Sequence, residues 1–256
     1  MKFHEMTAGR IAAIDRERAV LIQPIAAVEQ HGPHLPVGTD GIICDAIANA
    51  VEARRPDTVL LLPALWPGAS SHHLRFGATL DIRLNRYIEL LQEILREPLR
   101  DGFKRVMLLN GHGGNIDPLR VALRQLQLEF PDALLTGAPY WNLAEEEIAA
   151  RLEGADKFVG HACEFETSMI MHLRPELVDE DRIADQSGWL PDVVDGLFVS
   201  RDMKQRTRAG ATGRPDLASA EKGSALFEAI VEKVASVVDR LVDERLGTVW
   251  TDFVEG

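Results

Sequence analysis

The sequence predicts an α/β fold built on a mainly parallel sheet. Two observations carry this expectation. Near-continuous apolar runs of strand length occur at 19–28 (AVLIQPIAAV), 58–65 (TVLLLPAL), 104–109 (KRVMLL) and 133–139 (ALLTGAP). Runs of that kind suit strands covered on both faces. Helical patterns separate them. Residues 40–53 carry Ile43, Ile47, Ala50 and Val51; residues 84–99 carry Leu84, Tyr87, Ile88, Leu91, Ile94 and Leu95; residues 117–130 carry Leu119, Ala122, Leu123 and Leu126. Spacings of three and four put such residues on one helix face. Strand–helix–strand alternation then implies parallel pairing through helical crossovers. Residues 185–216 are rich in Gly and Pro and read as long loops with room for a hairpin. A long helix is expected over 217–246, with Leu226, Ile230, Val234, Val237, Leu241 and Val242 on one side.

The chain has 256 residues, 46% hydrophobic and 27% charged, which suits one domain over 1–256. Its 28 Lys+Arg against 40 Asp+Glu give a net charge of −12. That field is the wrong sign for a phosphate backbone and for an anionic membrane surface. The two cysteines, Cys44 and Cys163, form no CxxC pair. A reducing, cytoplasmic setting is expected, with no secretory leader and no membrane span.

Three polar segments follow expected strands or open expected helices, where ligands of open α/β sheets bind. The first runs Glu29-Gln30-His31-Gly32-Pro33-His34-Leu35-Pro36-Val37-Gly38-Thr39-Asp40. It offers carboxylates and imidazoles, the usual ligands of Zn, Mn and Fe, on a loop whose Gly and Pro prevent regular structure. The alternative reading makes Asp40 a helix cap. The second is Asn110-Gly111-His112-Gly113-Gly114-Asn115, a histidine flanked by glycines that permit close backbone approach. The third is Gly160-His161-Ala162-Cys163-Glu164-Phe165-Glu166-Thr167-Ser168. There the glutamates serve either as helix-dipole partners or as ligands with His161 as a proton relay. Cys163 reads as a packed residue, because flanking glutamates disfavour a thiolate. Ser70-Ser71-His72-His73 is a further polar cluster, with His72 or His73 able to line a site.

Together the three motifs, with Thr212-Gly213-Arg214-Pro215 and Ala220-Glu221-Lys222-Gly223, resemble the creatininase (creatinine amidohydrolase) family over residues 20 to 225. The resemblance implies a three-layer α/β/α fold, a homohexamer, and hydrolysis of an amide-type C–N bond in a small molecule. It implies two divalent ions, Zn and/or Mn with Fe accepted, which activate water. Carried over by position, Glu29, Asp40 and His112 hold one ion. His31 and Asp40 hold the other, with Asp40 bridging. The creatininase glutamate two residues after the second motif's histidine is Gly114 here, so Glu164 or Glu166 must replace it, and Glu164 is preferred. His161 matches the histidine that handles protons, with Glu164 beside it. Lys157 stands where creatininase has a tryptophan that encloses substrate, which favours an anionic substrate. His34, His73, Trp141 and Lys157 are the expected substrate contacts. The competing readings are a metal-dependent peptidase with the same chemistry and a non-catalytic protein that kept the fold.

Overall fold

Four parallel strands form the centre of the computed structural model, which describes residues 1–190, 197–244 and 246. Strands β1 (Val20–Ile25), β2 (Val59–Leu61), β3 (Arg105–Asn110) and β4 (Leu134–Pro139) lie in the order β2-β1-β3-β4. Helix α1 (Ala8–Ala12) precedes the sheet. Helices α2 (Thr39–Arg54), α3 (Leu84–Arg100), α4 (Ile116–Glu129), α5 (Tyr140–Leu143), α6 (Glu145–Ala149), α7 (Glu164–Leu173), α8 (Met203–Arg206) and α9 (Ala220–Asp243) complete it.

Successive strand side chains point to opposite faces, so each apolar run feeds two cores. Val20, Ile22, Val59, Leu61, Met107 and Leu109 pack with Ile43 and Ile47 of α2, Met169 of α7 and Ile230 of α9. Leu21, Ile25, Leu60, Val106 and Leu108 pack with Tyr87, Leu91 and Leu95 of α3 and Leu119 and Leu126 of α4. The expected three layers are therefore present, with helices on both faces of the sheet.

Prolines trim the strands relative to the apolar runs. The run 58–65 yields only Val59–Leu61: Leu62 N still donates to Ile22 O at 2.9 Å, but beyond Pro63 the pairing slips, so that Leu65 N rather than residue 64 reaches Pro24 O. Pro24 is tolerated inside β1. Its carbonyl accepts from Leu65 N at 3.0 Å, so its missing donor faces the side where β2 has already ended. The last helix is shorter than the apolar pattern suggests. Pro215–Leu217 forms a separate 3-10 turn, and the Ser219 side chain accepts from Lys222 N at 3.1 Å to cap α9. Of the 185–216 loop, residues 191–196 lie outside the described residues, as does residue 245 of the expected helix. The rest carries α8 and one antiparallel bridge, Gln186 with Gly213. Among the described residues no helix is long and apolar enough to cross a membrane.

The strand order creates the site. From β1 the chain moves outward to β2, then jumps back across to β3 on the other side of β1. The loops after the adjacent strands β1 and β3 therefore diverge around a crevice at their carboxyl ends, where such sheets bind ligands.

Candidate metal centre

The loop after β1 closes when Glu29 N donates to Val37 O at 2.9 Å. His31 Nδ1 lies 3.0 Å from its neighbour's carbonyl, Glu29 O, which fixes the proton on Nδ1. Its Nε2 then presents a lone pair, 3.0 Å from Asp40 Oδ1. Asp40 sits in the first turn of α2. The loop after β3 is pinned by its two asparagines. Asn110 Oδ1 accepts from His112 N at 3.0 Å, and Asn115 Nδ2 donates to Ala26 O at 2.9 Å. His112 Nε2 lies 3.2 Å from Ala69 O, so in the neutral ring Nδ1 carries the lone pair. That Nδ1 lies 3.0 Å from Asp40 Oδ2 and 3.3 Å from Glu29 Oε1. Asp40 is thus shared, one oxygen toward each histidine.

No side chain fits at Gly114. A Cβ there would lie 2.2 Å from Ala69 O and 2.5 Å from His112 Nε2. The compensating carboxylate comes from α7, and here the expectation for Glu164 is corrected. Residues 164 and 166 are two apart and point to opposite sides of the helix. Glu164 turns away from the crevice: Oε1 pairs with Lys222 Nζ and accepts from Glu153 N at 2.9 Å, while Oε2 accepts from Gly154 N at 2.9 Å. Glu166 turns inward. Ala162, buried in a left-handed conformation (φ 47°), donates its N–H to Glu166 Oε2 at 2.5 Å. Oε1 is left 3.8 Å from His31 Nε2. His31, Asp40 and Glu166 offer three ligand atoms within 4.8 Å of one another.

These groups are nearly all hidden from water: Glu29, His31, Asp40, His112 and Glu166 are buried. Among the described residues, Glu29 Oε2 and Asp40 Oδ2 are buried carboxylate oxygens that accept no hydrogen bond. Such orphans are costly unless a cation meets them. The field they create is visible in their neighbours. Burial opposes charge on His112, yet Glu29 and Asp40 raise it to about 10. Burial likewise opposes charge on His31, and Asp40 and Glu166 raise it well above its ordinary value. Asp40 is held well below the carboxylate range, since His31 and His112 outweigh its burial. Protons and divalent cations compete for this kind of donor set. Imidazole with carboxylate suits Zn, Mn or Fe.

A cavity of about 670 Å³ opens over the cluster, with His73, Trp141 and His161 among its lining residues. His161 Nε2 lies 2.7 Å from Gln30 O, and its Nδ1 lies 3.7 Å from Glu29 Oε1. Burial and the neighbouring His31 lower His161 to about 3. Gln30 Nε2 donates to His73 Nδ1 at 2.8 Å, so His73 turns its Nε2–H to Glu29 Oε1 at 3.2 Å. Two expected substrate contacts do not face the cavity. His34 bonds Thr167 Oγ1 at 2.9 Å behind the loop, because Gly32-Pro33 turns the chain between it and His31. Lys157 Nζ donates to Leu152 O at 2.5 Å, held by a nearby carbonyl. Cys163 is buried and raised to about 12, as a packed thiol should be. Trp189 and Arg206, which also line the cavity, belong to none of the sequence motifs. His72, of the Ser70–His73 cluster, stacks on His112 at 5.6 Å between ring centroids.

Residues 4–238 match the family described as creatinine amidohydrolase. The chain is 32% identical over 228 residues to the mycofactocin precursor peptide peptidase of Mycobacterium ulcerans, covering 86% of this chain and 84% of that one. It is 29% identical over 244 residues to the creatinine amidohydrolase of Pseudomonas putida, covering 90% and 91%. The solved structure of a mutant creatininase of Zn-Zn type superposes with a TM-score of 0.79 at 26% identity, covering 95% of this chain and 98% of that one.

Proposed function

The chain belongs to the creatininase family of amidohydrolases, and from that premise we propose that it hydrolyses an amide-type C–N bond using two divalent ions per chain. Glu29, Asp40 and His112 would hold one ion, and His31, Asp40 and Glu166 the other. One observation carries the assignment: Asp40 directs Oδ2 to His112 and Oδ1 to His31, the arrangement of a bridging carboxylate. Zn or Mn suits the donors, and the relative of Zn-Zn type supports the pair.

When bound, such a pair acidifies water toward neutrality and polarises a carbonyl oxygen. The chain's own residues set the rest. Gln30 O holds the Nε2–H of His161, so Nδ1 is the free base at the cluster. Burial keeps that imidazole neutral, so Nδ1 offers a lone pair to the attacking water's proton and, being a weak base, would pass that proton straight on to the leaving nitrogen. His73 holds Glu29 Oε1, leaving Oε2 for a cation. Trp141 is placed to pack on the substrate.

We read the chain as one catalytic domain. Exposed apolar side chains on α3 and α4, Leu84, Val121 and Leu128, support a homo-oligomer, and a homohexamer in the cytoplasm is the form proposed. Light scattering would report its mass. The test of function is hydrolysis of a panel of cyclic amides, formamides and short peptides, with and without chelation. Turnover that chelation abolishes and Zn or Mn restores is expected; turnover indifferent to chelation would refute it. A peptidase is the second reading, favoured by the 32% identical relative. Faster cleavage of peptides than of small amides would select it.

A further inference from the structure

We propose that Arg206 is the anchor for an anionic group of the substrate, a carboxylate or phosphate carried on a flat apolar scaffold. This rests on the amidohydrolase reading and narrows its substrate class. The cavity that contains Glu29, Asp40 and His112 is walled farther out by Trp141, Phe158, Trp189 and Arg206. Asp117 and Asp202 also line its wall, so a substrate anion that sits away from the proposed ions needs a cation of its own there; Arg201 and Arg206 are the arginines on that wall.

Arg206 is built for that task. Its guanidinium makes no ion pair with a carboxylate among the described residues. Two charged neighbours are otherwise engaged: Asp202, which caps α8, accepts at Oδ2 from Arg75 Nη1 at 2.8 Å, and Lys204 Nζ on α8 lies over the Phe76 ring at 5.2 Å. The Arg206 guanidinium carbon sits 5.5 Å from the Trp189 ring centroid. That indole is fixed in turn: Nε1 donates to Asp156 Oδ2 at 3.2 Å, and the Phe158 ring packs against it in a T-shape with centroids 6.5 Å apart. Leu190 N donates to Arg206 O at 2.7 Å, tying the two segments together. A planar fork held on an aromatic shelf is pre-organised for a carboxylate or phosphate. Lys157, the cation that sequence position favoured for this role, is turned away to Leu152 O.

The experiment is calorimetric binding to the full metal-loaded chain of three probes: hippurate, hippuramide and phenyl phosphate. It is repeated after chelation and with Arg206→Gln and Arg206→Lys. Hippurate or phenyl phosphate should bind roughly tenfold to a hundredfold tighter than hippuramide, the range of a charge-assisted hydrogen bond. Tighter hippurate identifies a carboxylate ligand; tighter phenyl phosphate identifies a phosphate monoester. The preference should survive chelation, vanish in Arg206→Gln and return in part in Arg206→Lys. An anion preference unchanged in Arg206→Gln, one lost on chelation alone, or no probe bound at millimolar concentration overturns the proposal. Binding is read without turnover. A chain that holds hippurate through Arg206 yet hydrolyses no amide would refute the hydrolase reading and leave this one standing.

Discussion

Glu164 and Glu166 lie two residues apart in one helix turn, and neutralising each should have opposite consequences. In Glu164→Gln, the substituted residue loses its charge opposite Lys222. It also keeps only one oxygen for the two N–H groups of Glu153 and Gly154, each now donating at 2.9 Å. Breaking a buried ion pair costs about 3–5 kcal/mol. Lys222 retains Glu153 Oε1 at 2.8 Å and Leu217 O at 2.7 Å, so the lower end, about 3 kcal/mol, is expected. For a chain of this size that is a fall in Tm of roughly 6–12 °C. Metal content should not change. Glu166→Gln should do the reverse. Burial already disfavours charge on Glu166 in the metal-free chain, so the neutral amide is tolerated there. The second ion should be lost or weakened at least tenfold, with little change in metal-free Tm. Thermal melting of chelated protein and metal analysis of loaded protein read the two effects. An unchanged Tm for Glu164→Gln with metal lost, or a full metal complement in Glu166→Gln, would refute the reasoning.

Three further outcomes are expected. Gly114→Ala forces a Cβ within 2.2 Å of Ala69 O and 2.5 Å of His112 Nε2. It should cost about 1–3 kcal/mol in stability and weaken the His112 ion at least tenfold, read by melting and metal titration; a variant with native Tm and affinity would contradict the tight fit. His161→Ala should lower kcat roughly a hundredfold to ten-thousandfold while both ions stay bound, whereas retained turnover would remove His161 from the chemistry. The third concerns pH. The folded-state pKa of His112, about 10, stands above its ordinary 6.5, and His31 is shifted the same way. Stability from these protonated groups is complete below pH 6.5 and is lost as pH rises toward 10. Chelated protein should therefore melt progressively lower across that window, while metal-loaded protein should not; a flat profile for the chelated chain would count against the assignment.

Much of this was legible in the sequence, for identifiable reasons. The apolar runs are continuous because residues such as Leu21 and Ile22 serve cores on opposite faces of the sheet. Glycine and asparagine around His112 left packing little to explain, and the fold shows both asparagines pinning that loop. The choice between Glu164 and Glu166 was hidden because residues 164–170 are all buried. A helix start enclosed on every side shows no polar–apolar phase to reveal which glutamate faces the crevice. Lys157 and His34 were misplaced for a different reason: a position in a motif specifies sequence neighbours, not direction. Arg206 was invisible because the ring it lies against, Trp189, is 17 positions away across a stretch whose sequence has no periodic pattern.

The most direct test of the account is metal stoichiometry of the full chain, expressed with Zn or Mn supplied and freed of loosely held ions. Two ions per wild-type chain are expected, with Asp40→Asn losing both because each depends on one of its oxygens. A wild-type chain holding one ion or none, or an Asp40→Asn chain holding two, would contradict it.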